Sequence, residues 1–123
     1  MSGDPERAYE LYLQGIELLE HGSPEAALPV LEESLNESPH GATARRLALA
    51  LEALGRQAAA DVYWRRGFEL APRSDAVAVG FAGALVRAGE TALARGILRE
   101  VLTRSASYGP AKRLITRLGA AEA

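Results

Sequence analysis

Residues 44–72 read ARRLALALEALGRQAAADVYWRRGFELAP: two apolar helical patterns either side of Gly55-Arg56, with Pro72 closing the second. The stretch is one copy of a repeated phrase. Gly22, Gly55 and Gly89 are spaced 33 and 34 residues apart, and Ala27, Ala60 and Ala94 keep those intervals. So do Leu18, Leu51 and Leu85, and Leu31, Trp64 and Leu98. Self-similarity at that period marks a helical solenoid, in which each unit is a pair of helices stacked on the next. Such arrays bind things and seldom catalyse.

Working outward, the helix boundaries are well punctuated. Asp4 then Pro5 reads as an N-cap followed by the first helical position, where proline's missing N–H costs nothing. The first helix should run to about His21 and stop at Gly22, a residue suited to a left-handed C′ position. Ser23-Pro24-Glu25 restarts the chain for a helix to about Glu37, and Ser38-Pro39 closes the unit. A second pair is expected over 41–54 and 57–70, and a third, capped by Ser74, over 75–88 and 91–104. Gly109-Pro110 opens a last short helix to about Leu118 that has no mate. Loops this short make sequential helices antiparallel neighbours, so the expectation is seven helices in one domain over 1–123. Pro29 lies several residues inside the second helix and removes a backbone bond, so a local bend is expected there.

With these residues in place, the chain resembles a tetratricopeptide repeat protein over nearly its whole length. The first unit, 8–41, has Leu11 where that family prefers tryptophan, then Gly15, Leu18, Ala27, Leu31, Ser34 and Pro39. The second, 41–74, has Ala44, Leu47, Ala48, Leu51, Ala60, Trp64, Gly67 and Pro72. The third, 75–108, has Ala78, Phe81, Ala82, Leu85, Ala94, Leu98 and Val101, with Ala106 where proline is usual. Gln14 departs from the pattern at a site that is usually leucine. The small residues let two backbones approach while Leu18, Leu51 and Leu85 fill the space beside them. The resemblance implies an all-α, helical-hairpin solenoid, wound as a right-handed superhelix. The segment 109–119 reads as a capping helix, with Lys112, Arg113 and Arg117 on one side and Leu114, Ile115 and Leu118 on the other.

The resemblance also implies where function sits. In that family the first helix of each pair lines a concave groove that takes an extended peptide or a helix of a partner protein. By position, the groove here consists of Tyr9, Tyr12, Ile16 and Leu19, then Arg45, Leu49 and Glu52, then Val79, Gly83, Val86 and Arg87, with Arg113 and Arg117 at its far end. Tyr9, Tyr12, Ile16 and Leu19 recur at helical spacing on one face, beside Leu11 and Leu18 that are committed to packing. A helix apolar on two sides is buried on two sides, by a partner, by a second copy or by curling of the array; the alternative is that Ile16 and Leu19 simply widen the core contact. Tyrosines favour binding, because they join contact area to a polar tip. Gly80 and Gly83 either let a partner's backbone approach or merely loosen their helix, at about 1 kcal/mol each relative to alanine. One subclass of the family clamps a C-terminal carboxylate with lysines and asparagines. The matching sites here hold Tyr12, Ile16, Arg46, Ala76 and Gly80, which argues against that clamp, although Arg45 and Arg46 could engage one acidic group.

Charge and composition narrow the alternatives. Residues 1–40 carry nine acidic side chains and one basic, for a net −8, and residues 41–123 carry seven acidic and thirteen basic, for +6. Such polarity is either a solvated surface or an attraction between ends of opposite sign, in a homo-oligomer or with a bipolar partner. No cysteine is present, which excludes disulfides and thiolate metal sites. The two histidines, His21 near a helix C-terminus and His40 in a loop, are not placed to share a metal, and Glu32 and Glu33 are neighbours on an expected exposed face. Neither a glycine-rich phosphate loop nor a nucleophile–base pair is recognisable, so no enzyme, metal or cofactor is expected. Arg95, Arg99, Arg104, Arg113 and Arg117 could form a basic stripe, but the chain is acidic overall and aromatics do not interleave with them, which disfavours nucleic acid. The N-terminus has no signal pattern and no 18-residue apolar run exists, so a cytoplasmic location without a membrane span is expected. Thirteen arginines to one lysine suggest a bacterial source with a GC-rich genome.

Overall fold

The computed structural model describes residues 3–122 and contains seven α-helices: α1 Pro5–Glu20, α2 Pro24–Glu37, α3 Gly41–Ala53, α4 Gln57–Leu70, α5 Asp75–Arg87, α6 Thr91–Arg104 and α7 Gly109–Glu122. The seven expected helices are all there, and α7 runs past its expected end near Leu118. None of the described helices is long and apolar enough to cross a membrane. Asp4 caps α1 as its position implies: its carboxylate accepts from the amides of Glu6 and Arg7 at 3.0 and 3.3 Å. The Asp4 amide in turn donates to the Glu37 carboxylate at 2.8 Å, tying the start of α1 to the end of α2. His21, the C-cap of α1, bonds the Glu17 carbonyl through Nδ1 at 2.8 Å, a helix-terminal role as expected.

The three repeated glycines make one turn three times. Gly22, Gly55 and Gly89 have φ of 75°, 74° and 82°, a region closed to most side chains. That conformation turns the next amide back onto the helix. Ser23 N–H reaches Leu18 O, Arg56 N–H reaches Leu51 O and Glu90 N–H reaches Leu85 O, each at 2.8 Å. Each is a Schellman closure that satisfies carbonyls the helix end would otherwise leave free. The result is the same closure at the end of the first helix of every unit. α2 continues through Pro29, whose ring stands exposed.

The core follows the repeat. Ala27, Ala60 and Ala94 are fully buried with Leu31, Leu47 and Leu98, and a single apolar cluster runs from Ala27 to Leu118. Within a unit the helices pair, α1 with α2, α3 with α4 and α5 with α6; between units α2 packs on α3, α4 on α5 and α6 on α7. Buried Ser34 donates to the Ala8 carbonyl at 2.7 Å. Where the third unit lacks its closing proline, Asp75 holds the turn instead, accepting from Arg104 Nε at 2.9 Å and Ser105 Oγ at 2.6 Å. These bonds, Ser105 first and then Arg104, hold the Asp75 carboxyl below its ordinary range.

Candidate functional site

The odd-numbered helices also touch one another, α1 with α3, α3 with α5 and α5 with α7, while among the described residues the even-numbered helices do not. One face of the array is therefore a continuous wall of α1, α3, α5 and α7. At equal offsets along these helices stand Tyr9, Tyr12, Ile16 and Leu19; Ala42, Arg45, Leu49 and Glu52; Ala76, Val79, Gly83 and Val86; and Pro110, Arg113 and Arg117. That register is the reason the groove positions fall on the same wall.

Two cavities occupy it. Toward the start of the array, Tyr9 and Tyr12 line a pocket of about 240 Å³ with Pro5, Ala8, Ser34, His40, Ala42 and Thr43. Tyr9 stands 62% exposed at its mouth, and the surface is mostly apolar. Toward the other end, Glu52, Val79, Gly83, Val86, Arg87 and Arg113 meet in one cleft of about 430 Å³ with Trp64, Gly80, Pro110, Leu114 and Arg117. Ile16, Leu19, Arg45 and Leu49 line neither cavity and are half-buried, with Leu19 and Leu49 packed against the core. The expected residues thus separate into a tyrosine pocket, an arginine-walled cleft and a half-buried strip of the wall.

The two α5 glycines have different reasons. A Cβ on Gly80 would lie 2.3 Å from the indole of Trp64, so that space is already filled by the ring. Gly80 is not where a partner's backbone approaches. At Gly83 a Cβ would meet only Arg87, at 3.6 Å from Nη1, an ordinary contact with a long side chain. Arg87 crosses beside Gly83 and grips Asp61 of α4 with two bonds, Nε to Oδ2 at 3.0 Å and Nη2 to Oδ1 at 2.7 Å. This pairing lowers the Asp61 carboxyl from its ordinary value and raises the Arg87 guanidinium.

Trp64 Nε1 donates to Glu52 Oε2 at 2.9 Å, and Gln57 Nε2 donates to the same oxygen at 3.1 Å and to Asp61 Oδ1 at 2.9 Å. A polar chain therefore runs Trp64–Glu52–Gln57–Asp61–Arg87, with Trp64, Glu52 and Arg87 lining the cleft. Reading positions along the sequence missed this: Glu52 and Arg87 are already engaged, while Arg113 and Arg117, both exposed on α7, carry the cleft's uncommitted charge. Glu25, a convex-side residue of α2, is likewise joined to Arg56 of the next unit at 3.2 Å.

Comparison with solved structures settles the fold. The first tetratricopeptide-repeat domain of Spaghetti (RPAP3), solved bound to the HSP90 peptide SRMEEVD, superposes with a TM-score of 0.86 at 16% identity, over 98% of this chain and 97% of that one. This chain has the tetratricopeptide-repeat fold. The TPR2AB domain of yeast Sti1, in complex with an HSP90 peptide, matches with a TM-score of 0.73 at 24% identity, over 94% of this chain and 46% of its own. The Yersinia enterocolitica type III secretion chaperone SycD, in complex with a peptide of the translocator YopD, matches at 0.72 and 19%, over 95% and 90%. No family model matches the sequence, and no curated protein matches it. In this tetratricopeptide-repeat array the α1–α3–α5–α7 wall is the concave side.

Proposed function

We propose that this chain is a protein-interaction module that holds a peptide or amphipathic helix of another protein along its concave wall, as an adaptor or chaperone-like scaffold does. The carrying observation is the convergence of six expected groove residues in one cleft, on the same wall as a pocket with an exposed tyrosine. An apolar pocket beside an arginine-walled cleft suits a segment with an apolar anchor and an acidic residue, since aromatic contact and charge-assisted hydrogen bonds are the strong recognition elements at such sites. Peptide complexes of the solved tetratricopeptide-repeat structures support the reading. It makes the chain no enzyme: His21 is used as a helix cap, and His40 lies 3.1 Å from Ser38 Oγ in an inter-unit turn. The arginine stripe that would suit nucleic acid is also spent in part, with Arg104 on Asp75 and Arg95 on the Leu118 carbonyl. We place its work in the bacterial cytoplasm, on the arginine bias of the sequence and the likeness to a bacterial secretion chaperone.

The test is selection of a displayed random peptide library on the immobilised chain, then calorimetry of the recovered peptides with Tyr9→Ala/Arg113→Glu. Both side chains are exposed, so helicity should be unchanged while affinity falls at least tenfold. Recovery of no peptide, or of peptides that bind the variant equally, would move recognition off this wall.

A further inference from the structure

We propose, beyond the groove reading, that copies of this chain associate head to tail, the open face of α1 on one copy docking against the open face of α7 on the next. Repeat symmetry identifies the first face. In α5, Val77, Gly80 and Ala84 are the positions that face the preceding unit: Gly80 lies under Trp64, Val77 packs against Gly67, and Ala84 is buried. The same offsets in α3 hold Thr43, Arg46 and Ala50, of which Thr43 and Ala50 are buried and Arg46 half-buried. In α1 they hold Glu10, Leu13 and Glu17, and among the described residues no helix covers them. All three are exposed, Leu13 at 46%. With Glu6 and Glu20 they form one stripe at alternating spacings of four and three, a single helix face opposite the core. It is one leucine among four glutamates, none of them in an ion pair among the described residues.

The second face is the side of α7 that a following helix would cover. In α5 those positions are Ala78, Phe81, Ala82 and Leu85, all buried. In α7 the same offsets carry Lys112, Ile115, Thr116 and Gly119, with Lys112, Thr116 and Gly119 exposed and Ile115 half-buried. Lys112, Arg113, Thr116 and Arg117 line a shallow depression of about 520 Å³ beside it. This face is an isoleucine with a basic rim, the counterpart of a leucine with an acidic rim.

Keeping a solenoid end soluble requires polar residues of any sign. Here the signs are sorted by end, −8 over residues 1–40 and +6 over 41–123, and every copy supplies both halves of the match. Charge complementarity of that kind steers encounter and sets register, and an acidic face on a basic face is a heterologous contact that leaves a free face at each end.

Sedimentation velocity tests it, on the purified chain between about 0.05 and 0.5 M salt, where screening shortens from well over 10 Å to a few ångströms. The weight-average mass should at least double with rising concentration at low salt and return to monomer at high salt. Glu10→Lys/Glu17→Lys/Glu20→Lys leaves three lysines to one glutamate on the α1 face and so makes both faces basic, and Lys112→Glu/Thr116→Glu puts two carboxylates at the exposed positions of the α7 face. Each variant alone should remain monomeric with unchanged helicity, and an equimolar mixture should associate again. A monomer under all conditions, or association that survives in both variants, overturns the proposal. The α1 substitutions lie on the face opposite the core and away from the arginine cleft, so peptide affinity of that variant should not change, and the two readings fail separately.

Discussion

At the residue scale, two glycines three positions apart on α5 predict effects of opposite sign. Alanine in place of Gly80 would set a methyl group against the face of a rigid, buried indole. Overpacking of that kind costs about 1–3 kcal/mol and outweighs the gain of about 1 kcal/mol from better helix propensity. Gly83→Ala meets only a long arginine side chain, so the propensity gain remains. Thermal melts should therefore show Gly80→Ala below wild type and Gly83→Ala at or above it. Asp61 gives a pH signature. Its carboxyl is depressed in the folded state, chiefly by the hydrogen bonds from Arg87. A depressed carboxyl contributes stability that is present above the unfolded value near 3.9 and is lost as pH falls through the folded value. The pair is partly exposed, with side-chain exposures of 25% and 41%, so its contribution is about 0.5–1 kcal/mol after screening. Denaturant titrations should show Asp61→Asn weaker than wild type by that amount at neutral pH. The two curves should converge in strong acid.

At the element scale, α7 is the helix whose role depends most on its neighbours. It is fourteen residues long and among the described residues has no paired helix following it, but Ala111 and Leu118 belong to the central apolar cluster. It covers the open side of α6, and Arg95 of α6 reaches the Leu118 carbonyl at 3.3 Å. Nearest-neighbour coupling in solenoids means that loss of an end element uncovers the next. A chain ending before Gly109 should melt several degrees lower and bind a hydrophobic dye that the full chain does not. An unchanged melting temperature would show that α7 is an appendage rather than a cap. The turn elements need no such support, because the Schellman closures at Gly22, Gly55 and Gly89 are local and identical.

At the scale of the whole molecule, the two surfaces proposed for association are built differently. The concave wall is mostly apolar with arginines toward one end, and its test is peptide affinity in Tyr9→Ala/Arg113→Glu. The end faces are charged around a single aliphatic residue each, and their test is salt-dependent mass. Apolar contact at the tyrosine pocket resists salt while exposed ion pairing does not, so association through the end faces should be the more salt-sensitive of the two events. Both surfaces arise from one arrangement: the first helices of the units share one wall, and among the described residues the stacking positions of α1 and α7 are the ones left open.

The sequence by itself determined the seven helices, their turns and the equal offsets that put the proposed groove positions on one wall. Those properties depend on local rules, such as Asp4 before Pro5, glycine where φ is positive, and a period of 33 to 34 residues that sets equal offsets on successive helices. The tertiary structure decided which groove residues were free. Glu52 looks available along the chain but is taken by Trp64 and Gln57 of its own unit, and Arg87 is taken by Asp61 of the preceding one, because bonds between helices join residues 5 to 26 positions apart that no periodicity marks. Gly80 and Gly83 look alike in sequence, yet only one lies under an indole. The glutamates of α1 likewise read as ordinary surface until the packing of α4 on α5 shows that their positions are the ones a preceding unit would cover. Local chemistry specifies where helices begin and end; which of their side chains remain unspent depends on what the neighbouring unit brings to them.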